Sequence, residues 1–461
     1  MRPTVLSSSV NYFDIQRVQL TGNISQELFA NFLAVDPCIF TLDLPNNHEL
    51  LRWKTDKSLH PTSVVDPIVE GLAAFLLSAK RRPLVRHQRS SDVCRRVAED
   101  ISRVAYEQEI GLFDFRRHEG TSQLIILDRM DDPVTPLLSQ WTYQAMVHEL
   151  IGIKNNRVSV CDSSNEKQDM VISSLGDTFF KENMYANYGD LGSAIKRLVD
   201  DFQTVSRMNK QIDSIEDMQK FVESFPEFRQ QSGNVSKHVA LMSELSRIIN
   251  ENSLMGVSQV EQEVACGSDQ VFAYNSIMQQ LADPKVKPVE CFKLVLLFAL
   301  RYEGVGSRQV DEMITALSRM SMSSLYLRVI RDIVRIAGEE CRTGDLFGNR
   351  NFFARASKLV GGLNGADNVY TQHQPLLVQT LENIYKGKAK ESDYPYINGI
   401  RGSKDAKPQE ILVFIVGGIT YEEARFVAQM NDSCQGVHVI LGGNTILNST
   451  KFVDDLAKAL Q

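Results

Sequence analysis

Two short runs of the chain are apolar without interruption, LIIL at Leu124–Leu127 and ILVFIV at Ile411–Val416, and a third, GVHVILGG at 436–443, is nearly so. A strand buried on both faces reads this way, because a parallel sheet covered by helices leaves no polar side to alternate with. The first run ends in Asp128, Arg129, Asp131 and Asp132. Pro133 then closes a turn, Thr135 offers an N-cap oxygen with Pro136 in the first helical position, and Leu138, Trp141, Ala145 and Met146 mark a following helix. Upstream, Ile68, Leu72, Phe75 and Leu76 predict a helix over 65–77, Leu84–Arg86 a short strand, and Val97, Ile101, Val104 and Tyr106 a charged helix from Ser91 toward Phe113. Downstream, Thr420 with Glu423 three residues on is a capping box that opens a helix to about Gln429, and a closing helix starts at Ser449.

Between these blocks the period changes from strand-like to helical. Ile195, Leu198, Val199, Phe202, Val205 and Met208 keep helical spacing and read as a core-facing stripe, as do Ile212, Ile215, Met218, Phe221, Val222 and Phe225, with a capping box at Ser214 and Asp217. A third stripe runs from Val235 to Ile249 and resumes at Val257, Val260 and Val264. The strands of 65–153 and 405–443 are therefore expected in one sheet: an α/β domain with a parallel sheet, interrupted by a large, mostly helical insertion. The expected boundaries are 46–154 and 366–461 for the two α/β segments and 155–365 for the insertion. Residues 1–45 are irregular, with a helix candidate near Ser25–Leu33 and a strand-like Cys38–Leu44.

Composition narrows the function classes. The 461 residues are 43% hydrophobic and 23% charged, ordinary for a globular protein. A net charge of −7 argues against nucleic acid as a partner, which needs a concentrated positive field. Basic residues gather at Lys80, Arg81, Arg82, Arg86, Arg89, Arg95 and Arg96, either a solvated surface or a docking face for an acidic partner. Seven cysteines, at 38, 94, 161, 266, 291, 341 and 434, show no paired spacing, so neither a disulfide framework nor a zinc site is expected, and a reducing compartment is. Apolar runs such as Leu294–Leu300 are too short to span a bilayer and the start has no signal-peptide pattern, so membrane association is expected only through partners.

Candidate chemistry concentrates at strand ends, where open α/β sheets place ligands. Asp128, Asp131 and Asp132 could act as acid and base or hold a divalent cation, but Arg129 among them favours a salt-bridged network that fixes the turn. Gly417–Gly418 and Gly442–Gly443 sit where a phosphate loop would, yet complete no phosphate-binding motif, and tight strand-to-helix turns with close packing explain them. His148, His238 and His373 stand in no nucleophile context. No catalytic residue, metal site or cofactor is expected. The alternative reading is an α/β enzyme or nucleotide binder using the strand ends at 128–132, 417–418 and 442–443.

The words LIILDRMDDPVTPL from 124, WTYQAMVHELIGI at 141–153, GNVSKHV at 233–239, RTGDLFGNR at 342–350, VYTQHQPLL at 369–377 and FIVGGITYEEAR at 414–425 resemble, in that order, the SM (Sec/Munc) family, and within it the endosomal and trans-Golgi branch. The resemblance implies a non-enzymatic, cytoplasmic regulator of SNARE assembly in vesicle docking and fusion. Its implied partners are a syntaxin-type SNARE, the assembled SNARE complex and an endosomal tethering protein, through which it would sit peripherally on Golgi and endosomal membranes. It also implies the two-segment α/β domain with an inserted third domain, and it assigns no reaction to TQHQP. A hairpin of that third domain would meet the SNARE bundle. Its tip is expected around Gly267, Val271, Phe272 and Tyr274, flanked by Val257, Val260, Val264 and Met278 as an exposed apolar stripe, with intradomain packing of that stripe as the competing reading. The opening MRPTVLSSS resembles a point partway through the family's N-terminal α/β domain, so residues 1–45 are expected to be a remnant of it, with weakened or absent binding of a syntaxin N-terminal peptide.

Overall fold

The computed structural model describes residues 31–45, 47–55, 62–115, 122–161, 167–210, 215–344, 346–347, 372–397, 408–434 and 436–461. The opening residues, the helix candidate as far as Ala30, and Ser214 of the expected capping box lie outside them.

Both uninterrupted apolar runs form central strands. In chain order the sheet strands are β1 (Leu33–Asp36), β2 (Ile39–Thr41), β3 (Leu84–His87), β4 (Ser122–Asp128), β7 (Glu410–Val416) and β8 (His438–Gly443), arranged β1-β2-β8-β7-β4-β3. A separate pair, β5 (Arg157–Cys161) and β6 (Lys167–Val171), is antiparallel. In the large sheet only β1 and β2 run antiparallel; β4 pairs with β7 through seven registered positions from Ser122↔Glu410 to Asp128↔Val416. The two distant sequence segments thus meet in the middle of one mostly parallel sheet, as the apolar pattern predicts. Along β4 and β7, Leu124, Ile126, Leu412 and Phe414 face one cluster with the helices Thr62–Ala79 and Asp92–Arg103. Ser91 caps the second of these by accepting from the Cys94 amide.

Residues 33–41 form an edge of this same sheet. Phe40 stacks on Phe75 with ring centroids 3.8 Å apart and lies over Gly442, where a Cβ would come within 2.1 Å of the Phe40 ring. Glycine at 442 is therefore the condition for that edge to close.

Two compact units emerge. One comprises residues 1–138 with 257–461, the other 139–256. In the first, the helices Leu254–Cys266, Gln270–Ala282, Pro288–Arg301, Ser307–Arg319 and Ser324–Ala337 share a core with Met130, Val134, Leu447 and Phe452. The second holds β5 and β6 and the helices Tyr143–Leu150, Thr178–Asn183, Tyr188–Lys210 and Ile215–Glu251. The β5–β6 hairpin is the strand element of an insertion expected to be mostly helical; the alternation of buried Val158 and Val160 with exposed Arg157 and Ser159 is its period-two signal.

One local expectation fails after Pro133. Thr135 does not cap a helix: its hydroxyl donates to Asp132 Oδ2 at 2.6 Å, and Asp132 Oδ1 accepts from the amides of Val134 and Thr135. The result is a single 3-10 turn, Thr135–Leu137, and Leu138 turns extended. The α-helix begins only at Tyr143.

Candidate functional site

The carboxyl ends of β4, β7 and β8 bring the strand-end candidates together. Arg129, fully buried, makes a two-pronged ion pair with Glu423 at 2.9 and 2.8 Å, and its Nε donates to the Asp132 carbonyl at 3.1 Å. Glu423 also closes the capping box, accepting from the Thr420 amide at 2.8 Å, so one carboxylate serves both a helix start and a buried cation. Burial alone would lower the Arg129 pKa, but Glu423 and Asp132 beside it hold it above its ordinary value. Asp128 accepts from the Ser91 hydroxyl at 2.7 Å and from the Met130 amide at 2.8 Å. Asp132 is pushed up by burial, but the Arg129 guanidinium, His373 and the Thr135 hydrogen bonds outweigh this and keep it below the carboxylate range. Asp131 differs: burial raises it to about 6 against the pull of two hydrogen bonds from Thr343.

This is the network reading of the cluster, with each carboxylate filled by protein donors. Among the described residues, no group of three or more His, Cys, Asp or Glu is placed to hold a metal. The first glycine pair is filled as well. The amides of Gly417, Gly418 and Ile419 donate to Asn444 Oδ1, the Ile415 carbonyl and the Thr445 carbonyl, which leaves none of the three for a phosphate. Gly417, at φ +104°, passes so close to Arg129 that a Cβ would sit 2.7 Å from that of Arg129, and Gly443 packs against Ile419.

The histidines are partnered too. His373 meets the Thr135 hydroxyl at 3.3 Å, and burial pushes its pKa down. In the second unit, His238 is fully buried between the Tyr143 hydroxyl at 2.7 Å and Asp177 Oδ2 at 2.9 Å, and Lys237 pairs with the same carboxylate. Burial pushes Asp177 up, but the hydrogen bonds from His238 and Lys237 outweigh it and hold the carboxyl low. Five of the seven basic residues meet charged or aromatic partners within the chain: Arg81 pairs with Glu410, Arg82 covers the Tyr106 ring, Arg86 is buried over Tyr396, and Arg95 and Arg96 pair with Asp92, Glu99 and Asp100.

The expected apolar tip divides. Val257, Val260 and Val264 are buried core residues of the first unit, in one cluster with the residues of Pro288–Arg301, which are buried from Cys291 to Leu300. Exposure of that stripe is thereby corrected. Gly267 closes the helix with its amide on the Glu263 carbonyl at 2.8 Å, and Asp269 caps the next by accepting from the Phe272 amide. Val271 and Phe272, in the first turn, are 66% and 55% exposed. Tyr274 and Met278 are partly buried against the core, and the Tyr274 hydroxyl donates to Glu312 at 2.7 Å.

A second apolar surface lies in the other unit. The helices Tyr188–Lys210 and Ile215–Glu251, of 23 and 37 residues, pack on each other as a long arm; the second alone spans about 55 Å. Its base is buried through Leu191, Ala194, Ile195, Leu241, Leu245 and Ile249. Further out nothing described is buried: Phe202 stacks on Phe228, and Val205 and Phe225 are 37% and 46% exposed. The stripe from Ile195 to Val205 is thus core only in its first part. The missed signal is its length, which exceeds what the base can cover.

The Sec1 family model matches residues 5–455, and the chain belongs to that family. It is 44% identical over 442 residues to the vacuolar protein sorting-associated protein 45 homolog of Arabidopsis thaliana, covering 94% of this chain and 76% of that protein. Against the human vacuolar protein sorting-associated protein 45 the identity is 41% over 435 residues, 94% of this chain and 75% of that one. Among solved structures, the SM protein Vps45 in complex with the Qa SNARE Tlg2 superposes with a TM-score of 0.82 at 38% identity, over 93% of this chain and 75% of that one.

Proposed function

We propose that this chain binds a syntaxin-type Qa SNARE and promotes assembly of the SNARE complex, regulating vesicle docking and fusion in endosomal, trans-Golgi and vacuolar transport. The observation that carries the reading is the similarity, over 93% of the chain, to an SM protein solved with a Qa SNARE. The arm supports it. Exposed apolar side chains on a long helix pair are the usual means of holding a partner helix, and Val205 and Phe225 supply them. Val271 and Phe272 form a second contact on the other unit. Contacts that strengthen in the half-zippered bundle, rather than on free helices, would lower the barrier to assembly as differential binding does for a reaction.

In this reading the protein performs no catalysis. It works on the cytoplasmic side and reaches Golgi and endosomal membranes through its SNARE and a tethering protein; no helix of the described residues is long and apolar enough to cross a membrane. The test is the rate of SNARE-complex formation from purified Qa and partner SNAREs, with and without the chain. Acceleration is expected. An unchanged rate at saturating chain would sink the assembly claim.

A further inference from the structure

The sequence words WTYQ at 141–144 and SKHV at 236–239 meet around one carboxylate of the second unit. Asp177 Oδ1 accepts from the Phe180 amide at 2.9 Å and so caps the short helix Thr178–Asn183. Its Oδ2 accepts from His238 Nε2 at 2.9 Å and pairs with Lys237 Nζ. On the other side of the imidazole the Tyr143 hydroxyl lies 2.7 Å from Nδ1, and the Phe179 ring rests against it at 4.6 Å between centroids. Lys237 also donates to the Val171 carbonyl at 3.3 Å, at the end of β6. One node therefore joins the helix Tyr143–Leu150, β6, the helix Thr178–Asn183 and the long helix Ile215–Glu251.

Its place along the long helix gives it leverage. His238 is fully buried, as are Leu241, Leu245 and Ile249 inward of it. Outward, none of the described side chains from Phe225 to Lys237 is buried. The node thus sits where the arm leaves its base. Phe225 lies roughly 20 Å further out along the helix, so a tilt of about 10° at residue 238 would carry it about 3 Å. The stack of Phe202 on Phe228 couples the two arm helices, and Val205 would move with them.

We propose that Asp177, His238 and Lys237, with Tyr143 behind them, are the fulcrum of the arm: they fix the angle at which the long helix leaves its base, and so position Val205 and Phe225 for a partner helix.

The chemistry suits a fixed joint. Burial works against the Asp177 charge, but His238 and Lys237 outweigh it, and an ionised carboxylate can only accept. His238 Nε2 therefore carries a proton, and in the neutral ring Nδ1 accepts from the Tyr143 hydroxyl. A buried, satisfied chain of directional bonds of this kind holds one geometry rigidly. The angle matters because apolar contacts lose roughly a quarter to a half of their attraction over a gap of about 0.5–1 Å. An arm displaced by about 3 Å at Phe225 would hold its partner weakly.

The proposal rests on the reading of the arm as a SNARE-binding surface, and its test separates the two. Spin labels on unnatural amino acids replace Gln168 of β6 and Gln230 of the arm, both exposed, and pulsed electron resonance of the free full chain reads the distance between them. One narrow distance is expected with the node intact and in Lys237→Arg, which keeps the cation. Lys237→Met and Tyr143→Phe are expected to shift or broaden it by about 3 Å or more. Calorimetry with a Qa SNARE, run below each variant's thermal transition, is expected to show Kd weakened about fivefold or more in the same two variants and within about twofold of wild type in Lys237→Arg. Tyr143→Phe leaves the Asp177 ion pairs in place and carries the test if Lys237→Met fails to fold. Unchanged distances in the folded variants, changed distances with unchanged SNARE affinity, or a loss in Lys237→Arg equal to that in Lys237→Met would overturn the proposal. A wild-type chain that binds no Qa SNARE would sink the functional reading instead, and the distances alone would then decide whether the node is a fulcrum.

Discussion

Arg129 is the side chain on which the strand-end network turns. It is buried, and its two-pronged pair with Glu423 spans 294 residues of sequence. Replacing it by Met leaves the Glu423 carboxylate buried without its cation and strips a partner from the Gly418 carbonyl. A loss of about 3–5 kcal/mol is expected from breaking one side of such a pair, to be read by chemical denaturation; a loss under 1 kcal/mol would mean that the network does not hold the sheet ends together. Gly417 tests the same place through the backbone. At φ +104° and with Arg129 beside it, alanine there adds roughly 1–3 kcal/mol of backbone strain before any clash is counted. Gly436, also at positive φ but with nothing near its missing Cβ, is the control: Gly436→Ala should cost less than Gly417→Ala in the same denaturation series.

At the scale of elements, the arm and the short tip make opposite predictions. If the arm is the docking surface, Val205→Asp with Phe225→Asp should weaken Qa-SNARE binding about tenfold or more while leaving the thermal transition nearly unmoved, since both side chains are already exposed. Val271→Asp with Phe272→Asp should have the smaller effect. The reverse order, measured on the same SNARE, would return the principal contact to the tip.

What could be read from sequence follows the range of the interactions. The strands β4 and β7 and the capping box of Thr420 and Glu423 are set by neighbours within a few residues, and they stand where the pattern places them. The role of Glu423 as the partner of Arg129 was invisible, because sequence spacing does not reveal a contact made across a sheet. Asp132 displaced Thr135 as the capping group because both are good acceptors within three residues, and a carboxylate binds backbone amides more strongly than a hydroxyl. The stripes at Val257–Val264 and Ile195–Val205 look alike in sequence. The first is buried in the core of the first unit and the second is exposed in its outer part, a difference that only tertiary packing decides.

At the scale of the whole molecule, the Sec1-family chain fills the strand ends of its mostly parallel sheet with its own side chains, and the proposed recognition of a SNARE is the claim to test first. The most direct test is calorimetric titration of the purified chain with the cytoplasmic domain of a Qa SNARE of the trans-Golgi and endosomal set, beside an unrelated helical bundle. The account predicts saturable 1:1 heat with the SNARE alone, with a Kd of about 1 μM or tighter. A chain that unfolds cooperatively yet gives no saturable heat with any Qa SNARE would contradict it.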